Sequence, residues 1–156
     1  MPKLWQELGK TKPFENPPED TYVQILRTAA IFTSEVTRLL KPHRLSDTTY
    51  NILRILRGAG SAGRSCSQIG QQVVSLVPDV TRLVDTLQRR GLAQRMRTAR
   101  DRRMVLVRIT PAGLKLLKKV DPLLAQWHEQ HLRHMTSAHI QQLNSLLERA
   151  RAPATS

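Results

Sequence analysis

A single cysteine, Cys66, excludes an intramolecular disulfide and a zinc site built on cysteines. Aromatic residues make up only 4% of the chain, too few for the stacking platforms that hold single-stranded nucleic acid. No apolar run approaches the roughly 18 residues that a membrane-spanning helix needs. The N-terminal stretch MPKLWQELGKTKPF lacks the apolar core of a signal peptide, so the chain is expected in the cytoplasm and not at a membrane. Acidic residues are scarce as well: 12 Asp and Glu face 25 Lys and Arg, for a net charge of +13. A field of that sign attracts polyanions, nucleic acid before anionic lipid. Nucleophile–base motifs, phosphate-binding loops and paired carboxylates are all missing. The sequence therefore argues against an enzyme and implies no cofactor.

What is present is a succession of helical patterns. At 156 residues the chain can form one domain with a proper core, or one compact domain plus oligomerisation helices. Residues 1–20 carry Pro2, Pro13, Pro17 and Pro18 and read as an irregular N-terminal arm. From about Thr21 to Lys41 the apolar positions Ile25, Ala29, Phe32, Val36, Leu39 and Leu40 recur at helical spacing, and Pro42 stops that helix. Ser46 is placed to cap the next helix, with Gly58 just past its end. Ser65 and Gln68 form a capping box for a short helix.

Val77–Gly113 organises the rest. It reads as a helix with Pro78 in its first turn, a stop at Gly91, and strands at Leu92–Arg97 and Met104–Ile109. A basic turn joins the strands, and a new helix is capped by Thr110. Val80, Leu83, Val84 and Leu87 make the helix's apolar stripe. Nine arginines crowd this stretch against Asp79, Asp85 and Asp101. The last helices bury Leu114, Leu117, Val120, Leu124 and Trp127, then Ile140, Leu143, Leu146 and Leu147, with a kink or break at Pro122.

The expected fold is mainly α with a small β-hairpin: a winged helix-turn-helix at 44–110, flanked by dimerisation helices at 21–42 and 111–150. A helix beside an Arg-tipped hairpin suits duplex DNA. The flanking stripes lie too far in sequence from the small module to join its core, so they predict pairing with a second copy.

From about residue 21 to 150 the chain resembles the MarR family of transcription regulators. The resemblance rests on SCSQIGQQV (65–73), VTRLVDTLQRRGLAQR (80–95) and DRRMVLVRITPAGLKLL (101–117). It implies an obligate dimer, a pseudo-palindromic DNA operator and, in many members, a small-molecule or redox signal that weakens DNA binding; the expected function is a repressor released by a small molecule. Two positions depart from the family pattern. Leu76 stands where a Ser or Thr usually caps the recognition helix, leaving Ser75 as a shifted cap or the helix end open to solvent or DNA. Gly70 replaces a usual Ala.

The recognition-helix candidates for DNA contact are Pro78, Asp79, Thr81, Arg82, Thr86 and Arg89. Thr81 and Arg82 lie in the first turns, where side chains reach base edges, and an Arg–guanine pair discriminates by about 1–3 kcal/mol. Arg82 could instead bind phosphate or pair with Asp85. Asp79 suits helix-end electrostatics better than cytosine readout. Arg89 and Arg90, late in the helix, point to phosphate or solvent. The wing candidates are Arg97, Arg100, Asp101, Arg102 and Arg103. Arg103 matches the family's minor-groove arginine, and Asp101 is suited to pairing with a neighbouring Arg.

Phe32, His43, Tyr50 and Trp127 could line an effector pocket or simply belong to the core. His128, His131 and His134 invite a metal hypothesis, though a solvated helix face is the commoner meaning, and no metal is assigned. Cys66 sits at a helix start and is read as a structural thiol before a redox sensor. The rival functions are a non-specific basic nucleic-acid-binding protein and a metal- or redox-sensing regulator using those histidines or Cys66.

Overall fold

The structure is a computed structural model that describes residues 3–75, 79–97 and 105–152. Its elements run α1 (Leu4–Glu7), α2 (Pro17–Leu40), a 3-10 turn (Lys41–His43), α3 (Asp47–Ala59), a second 3-10 turn (Gly60–Ala62) and α4 (Cys66–Gln72). There follow α5 (Val80–Arg89), β1 (Ala93–Arg97), β2 (Val105–Ile109), α6 (Pro111–Leu132) and α7 (Ser137–Arg151). Two compact units divide the chain between Val120 and Asp121. The architecture is the mainly helical winged module with one hairpin that the sequence predicts.

The N-terminal segment is more regular than its prolines suggest. Leu4 is buried in a one-turn helix. Pro17 and Pro18 occupy the first turn of α2, where a missing N–H is not needed, and Glu19 and Asp20 favour the positive end of the helix dipole. The helix therefore starts four residues before Thr21. It closes through its 3-10 turn: the Arg44 amide donates to Lys41 at 2.9 Å and the Leu45 amide to Leu40 at 3.3 Å. This pair of bonds is a Schellman stop, with Arg44 left-handed at φ 54 where glycine is usual.

Ser46 caps α3 as expected, accepting from the Thr49 amide at 3.1 Å. Gly58 does not end that helix; the stop is Gly60, whose φ is positive. Tyr50, Ile52, Leu53 and Leu56 of α3 supply much of the first unit's core. The Ser65–Gln68 capping box forms, with bonds of 3.2 and 2.9 Å. Ile69 of α4 is fully buried. A Cβ at Gly70 would meet Val80 at 3.5 Å, an ordinary contact, so the usual Ala would also fit there.

The start of α5 corrects the sequence expectation. Asp79 is the N-cap of α5, accepting from the Arg82 amide at 2.9 Å, so the cap is neither Ser75 nor absent. Val80, Val84 and Leu87 are buried while Leu83 is only half-buried. Full burial of each such side chain stabilises by about 1.5–3 kcal/mol, enough to fix which face remains outside.

Gly91 ends the helix at φ 67. The strands pair antiparallel with Ala93 opposite Ile109 and Arg97 opposite Val105. Arg64 bonds both ways to Val107 on the free edge of β2, at 3.0 and 2.8 Å, and joins the α3–α4 loop to the wing sheet. Thr110 caps α6, accepting from Gly113 at 3.1 Å and donating to the Gly91 carbonyl at 2.6 Å.

In α6, Leu117, Val120 and Leu124 are buried, but Leu114 is 43% exposed and lies off the expected stripe. The helix keeps its backbone through Pro122, without the break that the proline suggested; the unit boundary falls just before it. Beyond that boundary, Thr136 caps α7, which has no buried residue; Leu143 and Leu146 are exposed. Among the described residues no helix is long and apolar enough to cross a membrane.

Candidate nucleic-acid interface

Because Val80, Val84 and Leu87 anchor α5 from one side, its other face is held outward on a rigid base. Thr81, Arg82, Gln88 and Arg89 are exposed there, and Asp85 and Thr86 are half-buried. The Thr86 hydroxyl donates to the Arg82 carbonyl at 3.0 Å and accepts from Arg89 Nη2 at 3.1 Å. Arg89 is thus drawn back along the helix, while Arg82 extends from the capped first turn.

Arg95 on β1 forms an ion pair with Asp85, Nη1 to Oδ1 at 2.5 Å. Arg82, Asp85, Gln88, Arg89 and Arg95 together line one open groove. Its chemistry is cationic and rich in donors, suited to phosphate oxygens and to acceptor-bearing base edges.

Of the expected contact residues, the structure brings Arg82 and Arg89 to this groove, with Thr81 and Thr86 on the same helix. Asp79 has its carboxylate committed to the cap. Arg97 ends β1 and is exposed. Pro78, Arg100, Asp101, Arg102 and Arg103 lie outside the described residues.

Gln88 and Arg95 are additions. Gln88 lies three residues past Asp85, a spacing that makes the two neighbours on the helix surface. Arg95 is invisible to helical periodicity because it reaches the site only when the chain returns as β1. Asp85 pairs with this Arg95, not with Arg82.

Three of the expected effector residues belong to the first unit and one to the second. Phe32 and His43 are half-buried in the first unit and Tyr50 is buried there, with the Arg54 guanidinium 5.8 Å over its ring. Trp127 belongs to the second unit, its ring centroid 5.2 Å from His128 and 5.1 Å from His131. A cavity of about 380 Å³ in the first unit lies between α1 and α2, where Trp5, Arg27, Thr28 and Ile31 line it. Among the described residues no three His, Cys, Asp or Glu side chains gather as a metal site. Cys66 occupies the first position of α4 and is half-buried.

The family model of the MarR family matches residues 45–105, from the approach to α3 to the start of β2. The HTH-type transcriptional repressor IacR of Pseudomonas putida is 27% identical over 124 residues, which is 80% of this chain and 73% of that protein. A MarR transcription factor from Planctomyces limnophilus, known as a crystal structure, is 36% identical. That match covers 87% of this chain and 98% of the other, with a TM-score of 0.66. The S. aureus MepR–DNA complex shares the fold at 18% identity and a TM-score of 0.74, covering 85% of this chain and 95% of that one.

Proposed function

The chain belongs to the MarR family, and from that premise we propose that it is a sequence-specific, DNA-binding transcriptional repressor, working as a homodimer on a pseudo-palindromic operator and released by a small-molecule signal. One observation carries this reading. A capped helix, anchored on a buried apolar face, presents Thr81, Arg82, Gln88 and Arg89 beside Arg95 of the hairpin. That is the arrangement by which a recognition helix enters a major groove. The MepR structure is of a DNA complex, and this chain has that fold.

In this reading Thr81, Arg82 and Pro78 meet base edges and Arg89 meets phosphate. Arg97, Arg100, Arg102 and Arg103 follow the backbone and minor groove, with Arg103 as the groove probe. Asp101 braces the wing. The net charge of +13 supplies the long-range attraction. The protein acts in the cytoplasm, beside the chromosome, and no catalytic step is assigned.

Self-association rests on apolar surface. Tyr22 and Leu26 of α2 are 63% and 51% exposed, and Leu146 of α7 is 51% exposed. Within each unit these side chains have no core to fill. A second copy of the chain would cover them, with two recognition helices then spaced for successive major grooves.

The test is selection of duplexes from a random pool by the full-length protein. The expected enrichment is a pseudo-palindrome with half-sites about 10–10.5 bp apart, or a multiple of that. Absence of any enriched motif would leave the non-specific basic binder as the better reading. A compound that raises the melting temperature while weakening the selected duplex would identify the signal.

A further inference from the structure

Arg90 follows the last residue of α5 but does not belong to its cationic face. It is half-buried, and its guanidinium donates to two main-chain carbonyls 46 and 47 residues earlier: Nη1 to Arg44 and Nη2 to His43, the latter at 3.0 Å. Those oxygens sit at the carbonyl end of the run formed by α2 and its 3-10 turn. Helix ends leave such carbonyls without internal partners and with partial negative charge. Arg44 is also the residue whose left-handed backbone turns the chain from α2 toward α3. A non-glycine residue in that conformation persists only where its surroundings hold it. A planar guanidinium fork spans two adjacent acceptors; the compact ammonium of lysine does not.

We infer that Arg90 is a positioning residue, clamping the end of α5 to the α2–α3 junction and so setting the angle at which Thr81 and Arg82 meet DNA. The inference rests on the DNA-reading role proposed for α5. With its donors turned inward, Arg90 adds nothing to phosphate neutralisation, unlike the exposed Arg89 one position before it. It joins the end of α5 to the turn that closes α2, not to α2 itself.

The experiment compares the full-length wild type with R90Q, R90K and R89Q. Binding is measured on the duplex that the wild type selects and on a scrambled duplex, over a salt series and below each variant's melting transition. R90Q is expected to keep its scrambled-duplex affinity and salt slope, while its preference for the selected duplex falls about tenfold through misplaced base contacts. R90K keeps the charge without the fork and is expected to lose the same preference. R89Q is expected to lower the salt slope on both duplexes by about 0.9, one phosphate contact. A reduced salt slope in R90Q would make Arg90 a phosphate ligand and overturn the clamp. Full selectivity in R90K would overturn it as well, and R90K carries the test alone should R90Q not fold. If the wild type prefers no duplex, the DNA-reading role itself falls. If wild type and both variants discriminate equally, only the clamp falls.

Discussion

Arg95 of β1 is bound to Asp85 of α5 at 2.5 Å, so the first strand of the hairpin is tied to the outer face of α5. Both side chains are partly exposed, which limits the pair's contribution to stability to about 1 kcal/mol or less. Its larger effect is on charge: Asp85 masks a guanidinium that would otherwise be available to phosphate. Asp85→Ala is therefore expected to change the melting temperature little, to raise affinity for scrambled duplex and to steepen its salt slope by about 0.9. Binding titrations over a salt series check this, and an unchanged slope would show that the pair does not mask Arg95.

Asp79 gives a stability prediction. Its carboxylate caps α5, and loss of such a cap costs about 0.5–2 kcal/mol. Asp79→Ala should lower the melting temperature by about 1–8 °C for a chain of this size. Asp79→Asn, which retains an accepting oxygen, should stay near the wild type. Equal melting of all three proteins would remove the cap from the account.

Arg89 gives a binding prediction of a different kind. It is held against Thr86 late in the helix, and the proposed function gives it a DNA-backbone contact, a kind of contact that carries no sequence information. Arg89→Ala is expected to weaken selected and scrambled duplexes by the same factor, leaving their ratio intact. A selective loss on one duplex would place Arg89 among the base-reading residues.

Much of this geometry is legible in the sequence because it is local. The caps at Ser46, Ser65 and Thr110 each need only a hydroxyl three residues before an amide, and all three form. The apolar stripe of α5 and the pairing of β1 with β2 follow from periods that span a few residues. Other features escaped for physical reasons. Pro17 and Pro18 are as good at starting a helix as at preventing one, which hid the true beginning of α2. Leu114 has the right spacing for the core, yet Gly113 is the α6 residue buried against Leu92 and Ile109. Arg95 and Arg90 reach their partners only through tertiary return of the chain, over 10 and 46 residues, beyond the range of any periodicity.

The exposed apolar faces of α2 and α7 predict the assembly state. Leu26→Glu or Leu146→Glu should shift the protein from dimer to monomer in sedimentation, since a buried unpaired carboxylate is costly. Affinity for the full palindrome should fall with it, because each protomer then holds one half-site alone. A wild type that sediments as a monomer at micromolar concentration would remove the dimer from the proposal.

The central claim is that α5 reads base sequence through its first turn. Its most direct test is competition binding of the wild type and Arg82→Ala against single-base variants of the selected duplex. The account predicts that Arg82→Ala loses about 1–3 kcal/mol of discrimination at one symmetry-related position in each half-site and keeps the rest. Undiminished discrimination at every position would contradict it.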